Sequence, residues 1–345
     1  MLTGQTRFQA AARCETVDRP PVWLMRQAGR YMDVYQAVRA KHSFLEMIHT
    51  PDLARDVTMQ PIDAFDMDAA ILFCDILVTA EALGLNLQFK DGVGPLFLPP
   101  VKQLSDCDGL DTAGALGNLN YVMDALKACR SACDERGKAL LGFAGAPFTV
   151  ACYVFRREGN DSTTDIQTAI QNDPGLFHAV MEHLTPVTSD YLNAQMTCGV
   201  DGVQLFESWA SVFSPEDYEK WAFPYLKKVV QGLDRSSGVP LSLFCRHTHQ
   251  YLPYLLELEP DIISVDWTSD MGDMVSKIPS HIAIQGNLNP EILLGDAATV
   301  QKETQTLLEL MKHRPGFIVN LGHGITPKSK EENVAMLVDT VKKGY

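Results

Sequence analysis

The chain has 345 residues, and its 43 acidic against 29 basic side chains give a formal charge of −14, which excludes non-specific binding to nucleic acid because a polyanion meets net repulsion. An acidic small ligand meets the same repulsion unless cations are concentrated locally, so the position of each arginine is informative. The N-terminal MLTGQTRFQA lacks an apolar signal core, the longest uncharged run (140–155) is broken by glycine and proline, and the cysteines (Cys14, Cys74, Cys107, Cys129, Cys133, Cys152, Cys198, Cys245) form no CxxC pair, so no membrane span, reduced thiols and a cytoplasmic location are expected.

Short apolar segments rich in branched residues recur at 21–25 (PVWLM), 69–73 (AAILF), 140–145 (LLGFAG), 202–208 (GVQLFES), 241–246 (LSLFCR), 262–267 (IISVDW), 282–287 (IAIQGN) and 317–322 (FIVNLG). They are near-continuous rather than alternating, the pattern of parallel strands covered by helices. Helical signals fill the intervals. Leu116, Leu119, Val122, Leu126 and Cys129 recur at helical spacing with Gly137 beyond them, and Leu176, Val180, Leu184, Val187 and Tyr191 do so before Gly199. Ser214-Pro215-Glu216-Asp217 is a helix start with an N-cap, a first-turn proline and early acidic charge, and Asn289-Pro290-Glu291 repeats it.

This alternation predicts a single-domain (β/α)8 TIM barrel over residues 1–345, with 1–15 as an extension packing on or near the barrel. Extra helices are expected in the long intervals 26–68 and 74–139. An open doubly wound sheet competes, but it favours a glycine-rich phosphate loop after the first strand, and RQAGRY is not one.

In a barrel the chemistry lies at the carboxyl ends of the strands. After the first come Arg26 and Arg30, with Arg39 further on; four-residue spacing puts the first two on one side of a helical turn, and Gly29 allows close approach. Guanidinium matches carboxylate bidentately, so the group is either a polycarboxylate grip or a set of surface ion pairs. Asp75, flanked by apolar residues, is a helix cap or a buried functional carboxylate. Tyr153 lies on an apolar stretch, and Glu207-Ser208-Trp209 forms a polar cluster after the fourth strand. Cys245, His247 and His249 alternate after the fifth; they converge on a metal only if extended, and otherwise form a surface loop. His323, between Gly322 and Gly324, faces whatever fills the barrel mouth or is an ordinary turn residue. Walker, dinucleotide-binding, GxSxG and HExxH motifs are missing.

PVWLMRQAGRYM at 21–32 and GFAGAPFT at 142–149 closely resemble the two signatures of the uroporphyrinogen decarboxylase family, and AAILFCDIL, LFESWA, DWT, GNLNP and NLGHGI resemble family segments in the same order. The resemblance implies a homodimeric (β/α)8 enzyme that removes the four acetate carboxylates of uroporphyrinogen III, giving coproporphyrinogen III without cofactor or metal. It implies that Arg26, Gln27, Ala28, Gly29, Arg30 and Arg39 belong to the substrate-binding set. Asp75 matches the acid facing the pyrrole NH groups; Tyr153, Ser208 and His323 match contacts to the acetate and propionate arms; Ile71, Phe73 and Phe206 match the apolar wall. Asp75, Arg26, Tyr153 and His323 are the implied catalytic group, with Arg26, Tyr153, His323 and a substrate-held water as alternative ring-protonating acids. Two departures stand out: His247 where glycine is usual, and Asn289 where aspartate is commoner. A zinc-dependent corrinoid methyltransferase of the same fold and a non-catalytic tetrapyrrole carrier are the alternative readings.

Overall fold

The computed structural model describes residues 2–90, 92–159 and 162–344, apart from the side chain of Ser162. Met1 and Tyr345, the ends of the expected domain, lie outside the described residues. Nine strands are seen in chain order: β1 (Ala69–Ile71), β2 (Leu87–Lys90), β3 (Gly94–Phe97), β4 (Ala139–Gly145), β5 (Gly202–Glu207), β6 (Leu241–Cys245), β7 (Ile262–Val265), β8 (Ala283–Leu288) and β9 (Phe317–Leu321). Strands β1-β4-β5-β6-β7-β8-β9 form one curled, wholly parallel sheet, while β2 and β3 make a separate antiparallel pair that the apolar pattern did not announce.

Residues 21–25 differ from their expected strand. Only Val22 makes a parallel bridge, to Val319 of β9. The backbone nonetheless bonds in both directions: Val319 N donates to Pro21 O (2.9 Å), Trp23 N to Val319 O (3.3 Å), and Asp68 N, just before β1, to Val22 O (2.9 Å). Asp68 holds this junction. Its carboxylate accepts from Val22 N, Arg7 Nη1 and both terminal nitrogens of Arg19, at 2.6 to 3.0 Å.

Alternation along the strands sorts the core into two clusters. Leu140, Ile263, Ile284 and Val319 pack outward against the helices, whereas Ala139, Leu141, Ile262, Ala283 and Ile318 join Phe8, Trp23, Met25 and Phe244 in a smaller cluster on the concave side. A polar layer interrupts that inner cluster: Gln285 accepts from Trp23 Nε1 (2.9 Å) and donates to Gln204 Oε1 and Ser264 Oγ (2.8 Å each), and Ser242 Oγ also donates to Gln204 Oε1 (3.0 Å). Helix Gly4–Ala12 covers the amino-terminal end of the sheet, its Phe8 ring lying where a side chain on Gly202 would sit.

Helix Pro174–Thr197 buries Leu176, Val180, Leu184, Val187 and Tyr191, and Gly199 follows with φ 83°. Ser214 caps helix Pro215–Trp221 by accepting from Asp217 N. The interval 26–68 carries helices Asp33–Arg39, Phe44–His49 and Pro51–Phe65. In 74–139 the long helix is Asn120–Arg136; Leu116 falls on a separate short turn and is 38% exposed, so it does not join the buried face of Val122, Leu126 and Cys129. The start signal at Asn289 opens only a short 3-10 turn (Pro290–Leu294), and the main helix, Ala297–Met311, is capped by Asp296. Asn289 Oδ1 accepts from Glu291 N at 3.0 Å, so the amide oxygen does what an aspartate oxygen would. Among the described residues no helix is long and apolar enough to cross a membrane.

Candidate active site at the carboxyl end of the sheet

The chain reverses sharply after Met25. Residues 26–31 are a turn, not helix, and Arg26 has left-handed backbone with φ 60°. Helical spacing therefore does not align Arg26 with Arg30. The turn splits them: the Arg26 stem crosses Gly324, while Arg30 and Arg39 both act electrostatically on Tyr35, whose ring meets Phe73 edge-on at 5.7 Å. Arg39 also donates to His42 O (2.8 Å). Asn320 ties the turn to β9, its Oδ1 accepting from Met25 N (3.0 Å) and Leu321 N (2.8 Å).

Gln27 departs from its expected place. It is fully buried, accepting from Leu24 N (3.0 Å) and donating to Ala69 O (3.1 Å), so its side chain is bound into the turn rather than offered to a ligand. Ala28 and Gly29 remain half-buried beside it, and Gly29 O accepts from Met32 N.

Asp75 follows β1, beyond Ile71 and Phe73. It is neither the cap of the next helix nor ion-paired: one oxygen accepts from Leu77 N at 2.9 Å, and among the described residues this is its one protein hydrogen bond. Burial pushes the carboxyl above the usual carboxylate range, against the pull of the Leu77 amide and of Arg26. NH donors from a ligand would act with the Leu77 amide against this burial.

Tyr153, at the end of helix Pro147–Val154, is raised by burial, lowered by a hydrogen bond to the Trp209 side chain, and feels both Asp75 and Arg26. His323 meets Phe244 edge-on at 6.1 Å, and Phe244 in turn packs on Phe206. Burial, with Arg26 and Arg246 nearby, lowers its imidazole to about 4. Nδ1 accepts the Gly324 amide at 2.7 Å, which places the proton of the neutral ring on Nε2. His323 is thus a neutral hydrogen-bond donor near pH 7 rather than a ready proton source. Ser208 lies half-buried after β5, its amide bonded to Thr149 Oγ1 (2.9 Å).

Arg26, Asp75, Tyr153 and His323, from four distant stretches, thus share one electrostatic neighbourhood at the carboxyl end of the sheet. Reading in sequence missed Arg246 as its second cation and Glu207 as a buried acid beneath it. Both had been visible only as parts of the β5 and β6 loops.

Cys245, His247 and His249 do not converge. Cys245 is buried beside Glu207 and Asp266, the two histidine rings stack 6.1 Å apart, and His249 Nδ1 shares a hydrogen bond with Ser269 Oγ (3.1 Å). Among the described residues no three His, Cys, Asp or Glu side chains form a metal-binding group.

Residues 3–344 match the family model described as uroporphyrinogen decarboxylase (URO-D). The chain belongs to the uroporphyrinogen decarboxylase family. Relatives named uroporphyrinogen decarboxylase from Trichlorobacter lovleyi and Geobacter sulfurreducens are 40% and 39% identical, with 98% of each chain covered. One from Protochlamydia amoebophila is 39% identical, covering 98% of this chain and 91% of its own. Among solved structures, a methyltransferase from Methanosarcina mazei superposes with a TM-score of 0.80 at 20% identity over 99% of both chains, a likeness of fold alone.

Membership also explains a departure. The family's usual glycine after the fifth strand is His247 here, and His247 has φ 59°, a left-handed conformation that glycine adopts without strain.

Proposed function

We propose that this protein decarboxylates the four acetate side chains of uroporphyrinogen III, giving coproporphyrinogen III and four CO2 in tetrapyrrole biosynthesis, with Arg26, Asp75, Tyr153 and His323 as the catalytic group. The observation that carries the reading is the juxtaposition of one buried carboxyl, raised by its burial, with a fixed cation and two hydrogen-bond donors, in a chain of this family.

Expelling CO2 from an acetate arm leaves an electron pair on the methylene, and a neutral electron-rich pyrrole cannot accept it. Protonating a ring carbon creates a cationic sink. The carboxylate carbon–carbon bond then breaks, its electrons enter the ring, CO2 departs, and protonation of the methylene with loss of the ring-carbon proton yields the methyl group. Each turn consumes one proton.

Asp75 stabilises the ring cation and accepts the pyrrole NH groups; these bonds offset the burial that raises its carboxyl. Arg26, Arg30 and Arg39 hold carboxylate arms and locally reverse the −14 charge. Tyr153, Ser208 and neutral His323 donate to arms, with Ile71, Phe73 and Phe206 excluding water along the wall, and the backbone of Gln27, Ala28 and Gly29 lining the turn. Of the candidate ring-protonating acids, His323 is weakened by its lowered imidazole, which leaves Arg26, Tyr153 and substrate-held water.

The reading includes a single barrel domain in which 21–25 serves as the eighth stave; its bonds to β9 and to Asp68 support this. It includes a homodimer and a cytoplasmic setting, which sedimentation and cell fractionation test. Anaerobic incubation with uroporphyrinogen, resolving products by carboxylate number, tests the activity: seven- to four-carboxylate products are expected, and folded protein that removes none ends the proposal. Asp75→Asn should still bind substrate and turn over at least 100-fold more slowly, by removal of about 3 kcal/mol of charge stabilisation.

A further inference from the structure

The β5 loop rests on a buried acid that no step above uses. Glu207 is 2% exposed and accepts from Thr149 Oγ1 at 2.5 Å, while its other oxygen is buried with no hydrogen-bond partner among the described residues, as is the Tyr218 hydroxyl near it. Thr149 Oγ1 in turn accepts from the amides of Ser208 (2.9 Å) and Trp209 (3.3 Å). Trp209 bonds Tyr153 through its side chain, and the two rings lie edge-on at 6.1 Å.

We propose that Glu207 is a positioning residue: through Thr149 it fixes the backbone that presents Ser208, and the indole of Trp209 that orients Tyr153. The reason lies in one proton. A threonine hydroxyl has a single hydrogen and two lone pairs. With the hydrogen anchored on Glu207, both lone pairs face the two amides; without that acceptor the rotor turns and one amide loses its partner.

Burial raises Glu207 to about 8, against the Thr149 bonds, so the group is the neutral acid near pH 7. The other groups facing it, Tyr218 on helix Pro215–Trp221, Tyr251 on helix Thr248–Glu257 and Cys245 ending β6, are themselves pushed up and neutral. Among the described residues none of these groups is a cation, so near pH 7 the acceptor offered to Thr149 is that of the uncharged acid.

This inference rests on the decarboxylase reading, so its test has one arm that needs no turnover. Hydrogen exchange over residues 206–213, followed by mass spectrometry, should be slow in the native protein and in Glu207→Gln, and at least tenfold faster in Glu207→Leu and Thr149→Val. In the anaerobic assay, Glu207→Leu and Thr149→Val should each lose at least tenfold in kcat/KM, mostly through KM, and the double variant no more than the worse single. Glu207→Gln, which keeps an acceptor oxygen for Thr149, should stay within threefold of native at pH 7. Glu207→Leu or Thr149→Val with native exchange and kinetics overturns the proposal. If Glu207→Leu does not fold, Thr149→Val decides by the same two readouts. Native protein that removes no carboxylate defeats the decarboxylase reading alone, and the exchange arm then decides for Glu207.

Discussion

Gly324→Ala perturbs the site without touching an ionisable group. A methyl built on Gly324 lies 2.7 Å from Arg26 Cγ and 3.0 Å from Nε, and closer still to Cδ, where ordinary contact begins near 3.4 Å. The Arg26 stem must therefore retreat by at least 0.7 Å (3.4 − 2.7). Because the stem is a side chain and Arg26 itself is exposed, the fold yields cheaply, and the cost to stability should stay below about 1 kcal/mol. The guanidinium, however, leaves the position from which it pulls Asp75 down and depresses His323. Misplacing a positioning group by about 1 Å costs on the order of 100-fold in rate. The expected result is thus a loss of roughly 30- to 100-fold in kcat/KM with an unchanged melting temperature. Anaerobic product analysis and calorimetry on the same preparation measure both. Activity within twofold of native would show that Arg26 does not act from over Gly324; a large loss of stability would show that the glycine serves packing instead.

Three further outcomes follow from the same geometry. Gly322→Ala should destabilise severely, by about 3 kcal/mol or more, since its methyl would meet the Trp267 backbone at 2.5 Å (Cα) and nearer; a denaturation midpoint close to native would refute it. Asp68→Ala leaves Arg7 with Asp18 alone and removes the acceptor of Arg19 and of the buried Val22 amide, and urea unfolding should lose about 1–3 kcal/mol; no measurable change would mean the junction at Val22 stands without it. His323 should titrate near 4 by NMR instead of 6.5. A lowered folded value means the unfolded chain binds the extra proton between these limits, so stability falls as pH drops from 6.5 towards 4, by at most about 3.5 kcal/mol (6.5 − 4 at about 1.4 per unit); titration near 6.5 would place His323 in open solvent.

Some elements were readable because the physics is local. Near-continuous branched segments marked β4 to β9 within a residue or two, since a strand covered on both faces has no polar side to interrupt it. The same test set PVWLM, whose apolar run is as good, beside them as an equal strand, but its chain turns after Met25 and makes a single bridge, at Val22. Proline and cap signals at Ser214 were right for the same local reason, whereas Asn289-Pro290 bonded its cap and still gave only a short turn before Asp296 started the helix. The β2–β3 pair was missed because Pro95 and the glycines at Gly92 and Gly94 mask its pattern.

By itself the sequence determined the parallel sheet, the placing of polar residues at strand ends and, through two long signatures, the family. Each of these depends on neighbours in the chain or on a matched string of residues. Only the tertiary structure decided that Arg26 lies across Gly324 with His323 and Asp75 in its field, that Gln27 is sealed into its own turn, and that Glu207 sits neutral beneath Ser208. Burial and long-range charge set those states, and both come from residues remote in sequence, which spacing along the chain does not encode.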